Sequence, residues 1–139
     1  MKISVIIPCY NREETIQRSV NSVLNQTILK RNDVEIEVII VDDCSTDNSL
    51  ETIKKIDDSR VHLVQLEKNR GANFARNKGV CRALGDFIAF QDSDDEWHLD
   101  KLEVQINYLI EKNVDIVFSS LTSIDGQKVT IVPSGLVEG

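Results

Sequence analysis

Two short runs, ISVIIP (Ile3 to Pro8) and EIEVIIVDD (Glu35 to Asp43), are apolar and mostly β-branched. Strands of this kind have no wet face, so each must be covered from both sides. That requirement constrains the fold more than any other feature, because helices laid over a parallel sheet meet it most directly. The intervening segments agree. After the first run, Asn11 offers an N-cap with Glu14 three residues on, and Ile16, Val20, Val23 and Leu24 share one helical face. After the second, the Ser45 to Asn48 cluster supplies caps and Leu50, Ile53 and Ile56 form a short apolar stripe. Val61 to Leu66 predicts a third strand, and a helix over Gly71 to Ala83 directs Phe74 and Val80 inward before Gly85 stops it. Asp86 to Gln91 predicts a fourth strand. Leu99, Leu102, Ile106, Leu109 and Ile110 then mark an amphipathic helix, followed by a strand at Asp115 to Ser120. An Asp125-Gly126 turn folds LTSI against KVTIV as a hairpin. The fold class is α/β: an open, mostly parallel, Rossmann-like sheet with helices on both faces.

At 139 residues and 41% hydrophobic, the chain suffices for one core, so residues 1–139 read as a single domain. Sixteen basic against 23 acidic residues give a net charge of −7, which argues against nucleic acid or an anionic membrane surface as a partner. Cys9, Cys44 and Cys81 are odd in number and lack C-x-x-C spacing, so they read as reduced thiols of a cytoplasmic protein. No apolar run approaches the ~20 residues that span a bilayer, and the segment is expected to be soluble.

In an open α/β sheet, ligands bind beyond the carboxyl ends of the strands. Three predicted strand ends carry unusual residues: Pro8-Cys9-Tyr10-Asn11, Asp42-Asp43, and the stretch FQDSDDEW from Phe90 to Trp97. A charged run is commonly a solvated loop, and Asp42 and Asp43 could equally be turn acids or caps. The run at Asp92, Asp94, Asp95 and Glu96, however, directly follows a buried strand. Carboxylates there suit a hard cation, Mg²⁺ or Mn²⁺, which can hold a diphosphate and relieve the repulsion among them. The spacing from Asp92 to Glu103 imitates an EF-hand, but Trp97 stands where that loop needs glycine. Neither G-x-x-x-x-G-K-[ST] nor a G-x-G-x-x-G after the first strand is present, so a P-loop and a dinucleotide fingerprint are excluded. His62 and His98 are isolated, and Cys9 and Cys44 have no partner histidine.

Taken in order, ISVIIPCYN, VIIVDDCSTD, NRGANFARNKG and GDFIAFQDSDDEW closely resemble the successive signatures of family 2 glycosyltransferases, nucleotide-sugar enzymes of the GT-A fold. The resemblance runs from Ile3 to about Leu102. It implies that Pro8 and Tyr10 line a nucleobase pocket, with Tyr10 stacked on the ring, that Asp42 accepts the uracil imide N–H, and that Arg76 lies near the base. Asp92 and Asp94 match the first and last acids of the family's D-x-D motif, the first facing the ribose and the last binding the Mn²⁺ or Mg²⁺ on the diphosphate. The implied reaction is inverting transfer from a nucleoside-diphosphate sugar, a UDP-sugar on the Asp42 match, to a cell-surface polysaccharide, teichoic acid or lipid-linked acceptor.

Inversion also needs a general base. The family supplies it from later in the domain, and neither Asp115 nor Asp125 matches it. With the acceptor-binding part absent, the 139-residue segment is expected to be truncated on its C-terminal side, to bind nucleotide without turnover, and to self-associate through the surface so exposed. In the full-length protein the domain is expected at the inner face of the membrane. A metal-dependent nucleotidyltransferase and a non-catalytic nucleotide-binding module are the alternatives, although the former would want a basic Gly-rich loop where this chain has CYNREE.

Overall fold

The computed structural model describes residues 1–125 and 128–132. It divides into two compact units, Met1–Leu102 and Glu103–Gly139. In the first unit β1 (Lys2–Cys9), β2 (Glu35–Asp42), β3 (Val61–Gln65) and β4 (Phe87–Phe90) form one sheet in the order β3-β2-β1-β4, with every pair parallel. The helices are α1 (Ile16–Leu24), α2 (Ser49–Lys54) and α3 (Ala72–Val80), with a 3-10 turn at Thr27–Lys30, and α4 (Lys101–Lys112) spans the division.

The chain steps outward from β1 to β3 through α1 and α2, then returns through α3 to β4 on the other side of β1. Right-handed crossovers therefore set α3 on the face opposite α1 and α2. Strand alternation agrees: Ile39 and Val41 cluster with Leu66 and Ala75, and a Cβ at Gly79 of α3 would overlap Ile6. The other face takes the apolar stripe of α1, in which Ile16, Val20 and Val23 are wholly buried.

At the amino end of the sheet a buried polar knot ties β1, β2 and the turn before β4. Glu37 accepts hydrogen bonds from the Ser4 hydroxyl and, at 2.7 Å, from Leu84 N–H, and pairs with Lys2 at 2.7 Å. Ser4 Oγ in turn accepts Gly85 N–H at 2.8 Å. Burial would raise the Glu37 carboxyl, but Lys2, Ser4 and Leu84 N–H outweigh it and hold it below the usual range.

Several local expectations are corrected. Asn11 is no N-cap: its backbone is left-handed (φ 51°) and its side chain accepts Thr46 N–H at 2.8 Å, stitching the β1–α1 loop to the β2–α2 loop. Thr15 stands at the N-cap instead. On α3, Ala75 and Gly79 face inward while Val80 is exposed, since small residues let the helix approach the sheet. β3 and β4 are the edge strands, with His62 and Gln65 of β3 and Ile88 and Phe90 of β4 exposed, so only β1 and β2 are covered on both faces. Residues 115–120 form no strand, and the hairpin follows them: β5 (Leu121–Asp125) pairs antiparallel with β6 (Lys128–Val132), while the 126–127 part of its turn lies outside the described residues. Among the described residues, no helix is long and apolar enough to cross a membrane.

Candidate functional site

A cleft of about 580 Å³ opens at the carboxyl ends of the strands, where β1 and β4 leave the sheet beside the β3–α3 loop. Its lining includes Pro8, Tyr10, Arg12, Asp43, Arg76, Asp92 and Asp94. Five of the six residues singled out from the sequence therefore meet in one place. The sixth, Asp42, does not. It pairs in register with Cys9, its side chain is wholly buried, Oδ2 accepts Ser45 N–H at 3.3 Å, and Oδ1 has no hydrogen-bond partner among the described residues. Successive side chains of a strand point to opposite faces, so the next residue, Asp43, reaches the cleft instead. There Asp43 accepts Arg70 N–H at 2.8 Å and Gly71 N–H at 2.7 Å, which anchors the start of α3 against the end of β2.

Gly71 has φ 85°, a conformation that favours glycine, and the turn it makes presents Asn69 and Ala72 to the cleft. Tyr10 is 41% exposed, which leaves a ring face available for stacking. Cys9 also lines the cleft, but burial and then the Asp42 charge push its thiol up to about 12, so it stays a protonated packing residue at neutral pH.

The acids of FQDSDDEW are not left to repel one another. Arg76 donates to Asp92 at 2.6 Å, Arg12 pairs with Asp94 at 3.2 Å, and Arg18 pairs with Glu96 at 3.4 Å. Asp95 has no such partner among the described residues; burial and then the Asp94 and Asp92 charges raise its carboxyl above the usual range.

The backbone of this acidic loop is held by a polar ladder on α1 that the sequence reading missed. Thr15 Oγ1 donates to Ser93 C=O (2.9 Å), Arg18 to Asp94 C=O (3.0 Å) and Ser19 Oγ to Asp92 C=O (3.0 Å). Ser22 Oγ accepts Trp97 N–H (3.1 Å), while Gln26 donates to His98 C=O (2.7 Å) and accepts Leu102 N–H (2.9 Å). From the loop side, Gln91 Nε2 donates to Ser19 Oγ and to Asp95 C=O. The signal was present as small or amide side chains at 15, 19, 22 and 26, spaced to share one helix edge beside the apolar stripe.

Among the described residues no group of three or more His, Cys, Asp or Glu side chains could enclose a metal. Asp92 and Asp94, both about half exposed in the cleft, instead offer carboxylate oxygens to an open site. This donor set fits a hard dication that draws its remaining ligands from phosphate oxygens and water.

Comparison with known proteins gives the site its family. The family model "Glycosyl transferase family 2" matches residues 4–136. The Bacillus subtilis glycosyltransferase TuaG, assigned to teichuronic acid biosynthesis, is 44% identical over 128 residues, covering 89% of this chain and 49% of its own. An Escherichia coli protein, UDP-Glc:alpha-D-GlcNAc-diphosphoundecaprenol beta-1,3-glucosyltransferase WfgD, is 38% identical over 91% of this chain and 48% of its own. The chain thus spans about half the length of these relatives. Among solved structures, S. aureus TarS 1–349 in complex with UDP-GlcNAc superposes with a TM-score of 0.72 at 37% identity, covering 81% of this chain and 32% of that one. The mannosyltransferase PcManGT of Pyrobaculum calidifontis, in complex with GDP-Man and Mn²⁺, superposes with a TM-score of 0.69 at 27% identity, covering 77% of this chain and 32% of its own. With a family match over nearly its whole length, the chain belongs to glycosyl transferase family 2.

Proposed function

We propose that the cleft binds a nucleoside-diphosphate sugar, with UDP as the nucleotide, and that this chain is the donor-binding part of an inverting glycosyltransferase domain. One observation carries the reading: an aromatic face, Tyr10, and the two D-x-D carboxylates, Asp92 and Asp94, line one cleft at the carboxyl ends of the strands. An aromatic face suits a base, and acidic oxygens suit a metal-bound diphosphate.

In this reading Tyr10 stacks on the base beside Pro8, and Arg76, held by Asp92, lies alongside. The imide N–H goes to Asp43 rather than Asp42. Each Asp43 oxygen already accepts one backbone N–H, and a carboxylate oxygen has a second lone pair to offer. Asp92 faces the ribose. Mn²⁺ or Mg²⁺ would be held by Asp94, with Asp92 beside it, and would supply positive charge toward the departing diphosphate. The acceptor is a cell-surface polysaccharide, teichoic acid or lipid-linked glycan; the teichuronic acid in the name of TuaG and the diphosphoundecaprenol-linked sugar in that of WfgD support this class, and a lipid-linked acceptor would bring the full-length protein to the inner face of the membrane.

Calorimetric titration with UDP tests the reading. Binding should require Mn²⁺ over EDTA and be lost in Asp94→Ala. Asp43→Asn should weaken UDP about 10-fold or more, the worth of a hydrogen bond to a charged group, and should weaken UDP more than CDP. Asp42→Asn should leave that preference intact. A folded protein that binds none of UDP, dTDP and GDP would overturn the proposal.

A further inference from the structure

Arg12 is used by none of the roles above, yet it lines the cleft, and with Asp94 it also lines an adjoining recess of about 500 Å³ formed by residues 11–15, Asp47 and Asp94. Its Nε pairs with Asp94 Oδ2 at 3.2 Å, and its NH1 donates to the Asn11 and Tyr10 carbonyls at 3.0 and 3.4 Å. The backbone beneath is fixed: Arg12 N–H donates to Ser49 Oγ at 2.6 Å, and Asn11 on one side and Glu13 on the other bond to the β2–α2 loop. A fixed backbone thus carries a guanidinium held at its tip, among the described residues, by an exposed ion pair and two carbonyl contacts.

The side chains lining the cleft include two cations, Arg12 and Arg76, and three carboxylates, Asp43, Asp92 and Asp94. The two arginines are matched one to one with the D-x-D acids. A dication held by Asp94 would compete with the Arg12 guanidinium for that carboxylate, which would leave Arg12 free to turn into the cleft. A planar fork with free N–H groups is suited to phosphate oxygens.

Resting on the donor-site reading, we propose that Arg12 is a diphosphate-binding residue that exchanges partners: it neutralises Asp94 until a divalent cation takes that carboxylate, and then binds the diphosphate of the nucleotide. The exchange makes metal and nucleotide binding cooperative without a large movement of the chain. It also predicts opposite effects on the two ligands when Arg12 is removed, which a merely structural arginine would not give.

The test uses Arg12→Gln, with Arg12→Lys as a second variant and Arg31→Gln as a charge-matched control from a remote surface pair. Thermal melting verifies folding, Mn²⁺ alone is titrated by electron paramagnetic resonance, and uridine and UDP are titrated by calorimetry at saturating Mn²⁺. In Arg12→Gln, Mn²⁺ alone should bind about 2- to 5-fold more tightly, the range set by loss of an exposed competing pair. UDP should bind about 10-fold more weakly, as for loss of a charged hydrogen bond, with uridine unchanged. Arg12→Lys should fall between, and Arg31→Gln should match the parent. Unchanged or weaker Mn²⁺ binding, or unchanged UDP binding, would overturn the exchange while uridine binding by the parent upholds the donor site. A parent protein that binds neither uridine nor UDP would overturn the donor-site reading and the exchange with it.

Discussion

Replacing Ser19 by alanine removes one oxygen atom and nothing else, yet that atom joins α1 to the start of the acidic loop at Gln91 and Asp92. Ser19 is wholly buried; its Oγ donates to Asp92 C=O at 3.0 Å and accepts a Gln91 side-chain N–H at 3.2 Å. In Ser19→Ala the Asp92 carbonyl keeps Asp95 N–H at 3.1 Å, and Gln91 keeps Asp95 C=O at 2.7 Å, so one Gln91 N–H is left without its partner. Two lost hydrogen bonds at a net of about 1 kcal/mol each give a stability loss of about 2 kcal/mol. For a chain of this size that lowers the melting temperature by on the order of 8 °C. The functional consequence is separate: the bonds that orient Asp92 and Asp94 loosen, and loss of such outer support commonly weakens metal binding about 10-fold. Val20→Ala, an apolar truncation on the next residue of α1, serves as the control. It should lower the melting temperature without changing Mn²⁺ affinity. The reasoning fails if Ser19→Ala melts with the parent, or if both variants melt early and bind Mn²⁺ equally well.

Three further outcomes follow from the same structure. Tyr10→Ala should weaken UDP about 5-fold or more, the lower range for a base stacked on an aromatic ring, whereas Tyr10→Phe should titrate like the parent. Gly85→Ala would bring a Cβ to 2.6 Å from Ser4 Oγ, 2.7 Å from Ser4 N and 2.9 Å from Lys2 C=O, and because backbone cannot withdraw as a side-chain tip can, urea unfolding should show a loss of about 3 kcal/mol. Glu37→Gln tests pH linkage: a carboxyl held below its unfolded value of 4.5 contributes stability that is full above that value and disappears as pH falls through the lower folded value. The stability gap between parent and Glu37→Gln should therefore narrow from pH 6 toward pH 3, and a constant gap in urea melts would contradict the Glu37 network.

The sequence by itself determined the sheet, most of the helices and the chemistry available at the strand ends. Those features are local: β-branched runs cannot stay wet, apolar residues at helical spacing must face a partner, and acids directly after a strand must emerge where that strand ends. Family resemblance added expected roles, one motif at a time. Tertiary structure decided which of two adjacent acids enters the cleft. Asp42 and Asp43 differ by one step of a strand, so chemistry is shared but direction is opposite, and only the register of β2 between β1 and β3 sets that direction. It also decided that Val80 faces out and Gly79 in, because α3 lies close enough to Ile6 to admit no Cβ. The α1 ladder and the Arg12–Asp94 pair join residues more than 70 positions apart. Such contacts exist only once β4 has paired with β1, since that pairing carries the acidic loop to the end of α1 where these side chains can reach it.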